Sequence, residues 1–272
     1  MDELTKKYNL IIYTALIGLY DDLIEIDYYL LPKDTLLLCF TDNIQLTSNN
    51  WTIQYLDCEQ EESAIINRKI KILFMDYLPN HEYSLYIDSN IRIKKPILNL
   101  FTNLVELKFE LIVPKHHRRD CIYEESKPIL LLGKEKENIV NSQLNRYRSE
   151  GFPKNFGLGE NNIIFRNNSS IKLKKLMKQW WEEYESGAKR DQLSLMYCIW
   201  KSNFVNYKLG ILSSRRNEFF GLELHKNEKK IYLVRSGYAF LKKLHDNYQP
   251  LPNFYSLILV YYRNFLEKIF NK

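Results

Sequence analysis

Glycine and proline are scarce in this 272-residue chain, with 9 and 8 respectively, which excludes collagen-like and low-complexity architectures. The four cysteines, Cys39, Cys58, Cys121 and Cys198, stand apart with no CxxC pair. A disulfide scaffold is therefore not expected, and a reducing, cytoplasmic setting is. No run of about 18 uncharged apolar residues occurs, so no membrane-spanning helix is expected. The acidic start, MDELTKKYNL, lacks the pattern of a secretory signal. Also missing are GxGxxG, GxxxxGK[ST], HExxH and GxSxG, which counts against classical nicotinamide enzymes, P-loop NTPases, zinc proteases and elbow-type serine hydrolases.

What is present suits one substantial packed domain. Hydrophobic residues make up 45% and charged residues 26%, close to the globular norm. A formal charge of +6 and a pI near 8.9 suit an anionic ligand, an anionic membrane surface or nucleic acid. Nucleic acid is disfavoured, because basic residues are interleaved with acidic ones and no recognised motif is present. Residues 9–17 (NLIIYTALI), 35–41 (TLLLCFT) and 83–88 (YSLYID) are nearly continuous apolar runs, as strands buried on both faces of a mostly parallel sheet require. Residues 61–75 carry helical spacing between the last two, giving the strand–helix–strand signature of an α/β protein. Further strands are expected over 109–113 and 162–166, and helices over 136–149, 170–185 and about 191–202. Residues 253–270 read as a terminal amphipathic helix, packed on the domain or lying at a membrane surface.

Polar residues follow each strand directly, so Asp21, Asp42 and Asp88 can share one rim, where open α/β sheets bind ligands. Each is also an ordinary turn residue. Asp88-Ser89-Asn90 is either a strand-ending turn or a pair of oxygen ligands for a hard divalent cation such as Mg²⁺. Asn67, Arg68 and Lys71 fall on one helical face, where the cations could meet a phosphate or simply face solvent. Lys115-His116-His117-Arg118-Arg119 is a dense cationic cluster suited to an anionic substrate or a plain surface. Arg190-Asp191-Gln192 precedes an apolar helix. Asp191 serves there as an N-cap or, with Gln192, as a holder of sugar hydroxyls. His225 is a lone histidine, and Trp180 and Trp181 read as core.

Taken in order, the blocks CFTDN (39–43), NRKIKIL (67–73), YIDSN (86–90), HHRRDCIYEE (116–125), RDQLS (190–194) and FFGLELHK (219–226) resemble a known family over about residues 10–230. It is the glycosyltransferase-like domain family typified by plant pollen-tube and seed-mucilage proteins, with members in bacterial polysaccharide clusters. The resemblance implies a GT-A type Rossmann-like fold over residues 1–250, followed by the helix at 251–272. It implies a nucleotide-sugar donor, a UDP-sugar first among them, a glycan or lipid-linked acceptor, and Mn²⁺ or Mg²⁺ as cofactor. Asp88-Ser89-Asn90 then stands in the place of the DxD motif, with Asp88, Asn90 and the late His225 as metal ligands. Asn90 departs from the usual second aspartate. Tyr13, Thr14 and Ala15 would line the base pocket, Asp42 would approach the base or ribose, and Arg68 and Lys71 would face the nucleotide. His116, His117 and Arg118 would flank the donor sugar or acceptor. Arg190, Asp191 and Gln192 would sit at the transferred sugar, with Asp191 as acceptor base in an inverting route or orienting and stabilising the sugar in a retaining one, between which the sequence does not choose. A catalytically silent nucleotide- or glycan-binding protein of the same fold is the alternative.

Overall fold

A computed structural model describes residues 8–58, 61–215 and 217–226. The chain divides after Glu223 into two units, and of the second only Leu224, His225 and Lys226 are described. The expected terminal helix and the expected boundary at residue 250 lie outside the described residues.

The first unit is built on a seven-stranded mixed sheet. Strands β1 (Tyr8–Leu16), β2 (Thr35–Thr41) and β3 (Thr52–Tyr55) pair in parallel outward from β1. Helix α1 (Ser63–Ile72) then carries the chain back to β4 (His81–Ile87), which pairs in parallel with the other side of β1. Beyond β4 the sheet turns mixed: β7 (Ile163–Asn167) runs antiparallel to both β4 and β6 (Leu111–Val113), and β8 (Tyr207–Leu209) closes the edge parallel to β6. The spatial order is β3-β2-β1-β4-β7-β6-β8. A small antiparallel ribbon joins β5 (Ile91–Ile93) to β9 (Phe220–Leu222).

The apolar runs form strands because both faces of the sheet are covered. Along β1, Ile11, Tyr13 and Ala15 enter one core while Leu10, Ile12 and Leu16 enter the other, the two-residue alternation of extended chain. The first core is roofed by α1, α3 (Ile122–Leu131), α4 (Glu137–Ser149), α5 (Ile171–Ser186) and α6 (Leu195–Lys201). The second is covered by α2 (Leu98–Glu106) and the ribbon. Helix α5 starts at Ser170, whose Oγ accepts the Leu173 N–H at 3.0 Å, a cap that stabilises by about 1 kcal/mol. Its apolar stripe buries Leu173, Leu176, Met177 and Trp180 completely or nearly so.

Candidate active site

The strand order reverses between β1 and β4, because the chain steps outward from β1 and then crosses back. Ligands of open α/β sheets bind in the crevice at such a switch point, beyond the carboxyl ends of the strands. The loop after β1 passes through Gly18 at φ +80°, and its N–H donates to both Asp42 oxygens at 3.1 and 2.9 Å. A Cβ on Gly18 would lie 2.7 Å from Ser63 Oγ, so glycine lets the first turn of α1 approach the rim. Asn67 of α1 donates to the Ala15 carbonyl at 2.9 Å and accepts from Arg68 at 2.8 Å. That tie fixes the helix against the end of β1.

A buried charge cluster fills the other side of the crevice. Lys71 is 2% exposed, and its ammonium lies 2.8 Å from Asp191 Oδ2, 3.5 Å from Asp88 Oδ1 and 5.1 Å from the centre of the Tyr86 ring. Arg68 Nε reaches Asp191 Oδ1 at 3.5 Å. Burial alone would raise the Asp191 carboxyl, but Lys71 and Arg68 outweigh it and hold it at about 2. Burial works against the Arg68 charge, yet Asp191 and Asp88 more than offset it and hold its pKa above the usual value. Burial and then Asp88 keep the Tyr86 phenol protonated, and it donates to Asp88 Oδ1 at 2.9 Å. Ser89 donates to Asp21 at 2.7 Å. Asp21, Ser89, Asp88, Lys71, Arg68 and Asp191 therefore form a linked set.

Other expected site residues fall differently. Tyr13, Thr14 and Ala15 are buried within β1; the strand continues to Leu16, so these side chains sit below the rim. Tyr13 instead donates to the Lys71 carbonyl at 3.2 Å and accepts from Arg166 at 2.8 Å. Arg166 is wholly buried, donates to the same Lys71 carbonyl at 2.7 Å and stacks 4.9 Å from the Phe74 ring. Two side chains thus cap the last turn of α1, whose carbonyls lack helical partners, and so place Lys71. Sequence gives no signal for Arg166, since its partners lie 153 and 95 residues away. Arg190 does not turn to a sugar site: its guanidinium donates to the Lys134 carbonyl at 2.7 and 3.3 Å. Gln192 donates to the Glu160 carbonyl at 3.3 Å.

The cationic cluster is folded by a short ladder. Glu160 N–H donates to the Pro114 carbonyl at 2.9 Å, and His116 N–H to Leu158 at 2.8 Å. His116 is buried, and its Nδ1 accepts the N–H groups of Arg118 and Arg119 at 3.3 and 3.1 Å. Its role is to hold this loop, in place of donor contact. Arg119 pairs with Glu125, a buried partner that sequence does not single out. Arg118 is exposed. His117 faces Glu160, which also binds Arg215 Nε at 2.7 Å.

The fit of a divalent cation rests on Asp88. Tyr86 and Lys71 both address its Oδ1, and one or two carboxylates plus substrate phosphates suffice for a hard cation. Asn90 is buried; its side-chain Nδ2 donates to the Glu223 carbonyl at 2.9 Å, and its backbone carbonyl accepts the Glu223 N–H at 2.8 Å. These bonds brace the Asp88 turn against β9. His225 lies in the second unit and is half-buried there. Among the described residues, no group of three or more His, Cys, Asp or Glu side chains gathers to hold a metal. A cavity of about 340 Å³ between Leu56, Cys58, Lys69 and Tyr77 shares no residue with the Lys71 cluster.

No protein of curated function matches the chain in sequence. Among solved structures it is similar to the apo form of the WbbM bifunctional glycosyltransferase, with TM-score 0.41 and 10% identity over 77% of this chain and 39% of that one. The galactosyltransferase LgtC with donor and acceptor sugar analogues gives TM-score 0.40 and 12% identity over 74% of this chain and 72% of that one. Mouse xyloside xylosyltransferase 1 gives 0.39 and 10% over 75% and 85%. The chain thus spans about two fifths of the length of WbbM. A family model matches residues 50–225, so the block at 39–43 lies outside the match. On that match the chain belongs to the TOD1/MUCI70 glycosyltransferase-like domain family, as an α/β protein of glycosyltransferase type.

Proposed function

We propose that this chain is a GT-A type enzyme that transfers a sugar from a nucleotide-sugar donor, a UDP-sugar first among them, to a glycan or lipid-linked acceptor. The observation that carries the reading is the Lys71–Asp191–Asp88–Arg68 cluster at the strand-order reversal. Breaking the anomeric bond leaves a nucleoside diphosphate, whose developing charge must be met by groups already in place. Lys71 and Arg68 are cations held at the rim by the carboxylates themselves, and no solvent has to reorganise around the buried ammonium. Asp88 and Ser89 orient the donor, with Tyr86 and Asp21 fixing them in turn. A divalent cation held by Asp88 would add further positive charge at the diphosphate. Asp191, ionised and gripped by two cations, orients the sugar or offsets positive charge at its anomeric carbon. Held so low, it is a poor proton acceptor, which favours the orienting role over that of acceptor base.

Four free cysteines support a reducing, cytoplasmic setting. Among the described residues no helix is long and apolar enough to cross a membrane. The engagement of Asn90 with Glu223 favours, as a second reading, a protein that binds nucleotide without turnover. The test is release of nucleoside diphosphate from UDP-glucose, UDP-galactose, UDP-N-acetylglucosamine and GDP-mannose, with and without Mn²⁺. Release from one donor supports transfer. Tight nucleotide binding with no release from any of them supports the silent reading.

A further inference from the structure

Of the two adjacent histidines, one is spent on structure and the other is left with a nitrogen to use. Both Arg118 and Arg119 N–H groups donate to His116 Nδ1, so its proton is on Nε2, which faces Glu125 at 3.6 Å. That fixed ring is a platform: the His117 ring stacks on it with centroids 4.8 Å apart and planes inclined by 29°. His117 Nδ1 lies 3.3 Å from Glu160 Oε1, and the side chain is 29% exposed. A carboxylate on Nδ1 sets the tautomer that leaves Nε2 a free base, the orienting logic of carboxylate–histidine pairs.

The pair is joined to the rim by backbone. Gln192, next to Asp191, donates to the Glu160 carbonyl, and Asp88 N–H donates to the Asn162 carbonyl at 2.9 Å. Residues 160–162 therefore run past the Asp191 segment and the Asp88 turn. The carboxylates there are already engaged: Asp191 by Lys71 and Arg68, Asp88 by Lys71 and Tyr86. The acceptor proton needs another destination.

We propose that His117 is the proton acceptor of the transfer reaction. As the acceptor oxygen bonds to the anomeric carbon, its hydroxyl proton passes to His117 Nε2. The anomeric C–O bond to the diphosphate breaks in the same displacement, and its electron pair leaves with the nucleoside diphosphate. The imidazolium so formed sits against the Glu160 carboxylate. Direct displacement inverts the anomeric configuration. This inference rests on the glycosyltransferase reading above.

The groups facing His117 are Glu160, Arg215, Arg118 and His116. Burial, then Arg215, lowers its pKa, while Glu160 works the other way. The ring is therefore neutral, and able to take a proton, at neutral pH.

The experiment uses the donor that the wild-type chain turns over, with UDP or GDP affinity measured in parallel by calorimetry. His117→Gln is expected to lower turnover about a hundredfold or more with nucleotide affinity within about twofold. Glu160→Gln removes the carboxylate and is expected to shift the acid limb of turnover to lower pH. Proton NMR of the first product is expected to show inverted configuration, a readout independent of any variant's folding. Wild-type turnover in His117→Gln, an unmoved acid limb in Glu160→Gln, or a retained configuration each overturns the assignment while transfer itself stands. No release from any donor by the wild-type chain removes the glycosyltransferase reading, and this inference with it.

Discussion

The Lys71 ammonium, almost wholly buried, lies 2.8 Å from the Asp191 carboxylate, although the two residues are 120 positions apart in the chain. Neither charge would survive burial alone, since an isolated ion in the interior is prohibitively costly. Together they are stable, and with Arg68 and Asp88 they set two cations and two carboxylates at the strand-order reversal between β1 and β4.

Removing one partner of this pair strands the other. Lys71→Met is expected to destabilise the fold by about 3–5 kcal/mol and to raise the Asp191 pKa from about 2. Adding Asp191→Leu should recover part of the loss. Chemical denaturation of the two single variants and the double variant checks it through the coupling energy; strict additivity would show that the pair does not interact.

Arg166 and Tyr13 both donate to the Lys71 carbonyl, and burial lowers the Arg166 pKa. Arg166→Lys cannot span both acceptors. A stability loss of about 2–3 kcal/mol is expected, with about 1 kcal/mol for Tyr13→Phe. If Lys71 is placed through this cap, turnover falls more than nucleotide affinity in both variants. Kinetics alongside denaturation separate that outcome from simple loss of stability.

Gly18 tests how closely α1 must approach the rim. Gly18→Ala combines a left-handed φ of +80° with a contact of 2.7 Å to Ser63 Oγ. The expected cost is about 1–3 kcal/mol, with weaker nucleotide binding. Adding Ser63→Gly removes the contact but leaves the backbone strain, so it should restore part of the stability. Full restoration would show that the φ value is immaterial.

His81 sets an acid limit on stability. It is 4% exposed, Nδ1 lies 2.6 Å from the Pro79 carbonyl, and burial lowers its pKa from 6.5 to about 4. The folded state therefore disfavours the charged ring. This contribution is fully present above pH 6.5 and is lost as pH falls through about 4. His81→Phe should flatten the decline of Tm between those values, and an unchanged slope would assign the decline to other groups.

The fold was legible where periodicity was strong. The runs at 9–17, 35–41 and 83–88 correspond to Tyr8–Leu16, Thr35–Thr41 and His81–Ile87, and the stripe at 170–185 corresponds to Ile171–Ser186. Helix Ile122–Leu131 was not, because Pro128 interrupts its pattern and Glu124 to Lys127 form a polar run across its middle. The segment expected as one helix from 191 is a short 3-10 turn, Asp191–Leu193, followed by Leu195–Lys201. In the crevice, Asp88 is marked by its type at a strand exit, Arg68 and Lys71 by their spacing on one face of a helix, and Asp191 by its place before an apolar helix, but that the four meet is seen only in the structure. Arg166, Tyr86 and Glu160 are not so marked. Their roles arise from contacts made across the sheet, and an arginine ending an apolar strand or a glutamate in a loop gives no local sign of them.

Nucleoside diphosphate binding followed by thermal unfolding, in the wild type and in Asp88→Ala, tests the crevice most directly. UDP at about a hundredfold excess over its Kd should stabilise the wild-type chain by about 2.7 kcal/mol. Mn²⁺ should add to the shift in the wild type, and the Mn²⁺-dependent part should vanish in Asp88→Ala. If neither UDP nor GDP moves the wild-type Tm at millimolar concentration, the Lys71–Asp191 cluster is a structural ion pair and not a diphosphate site.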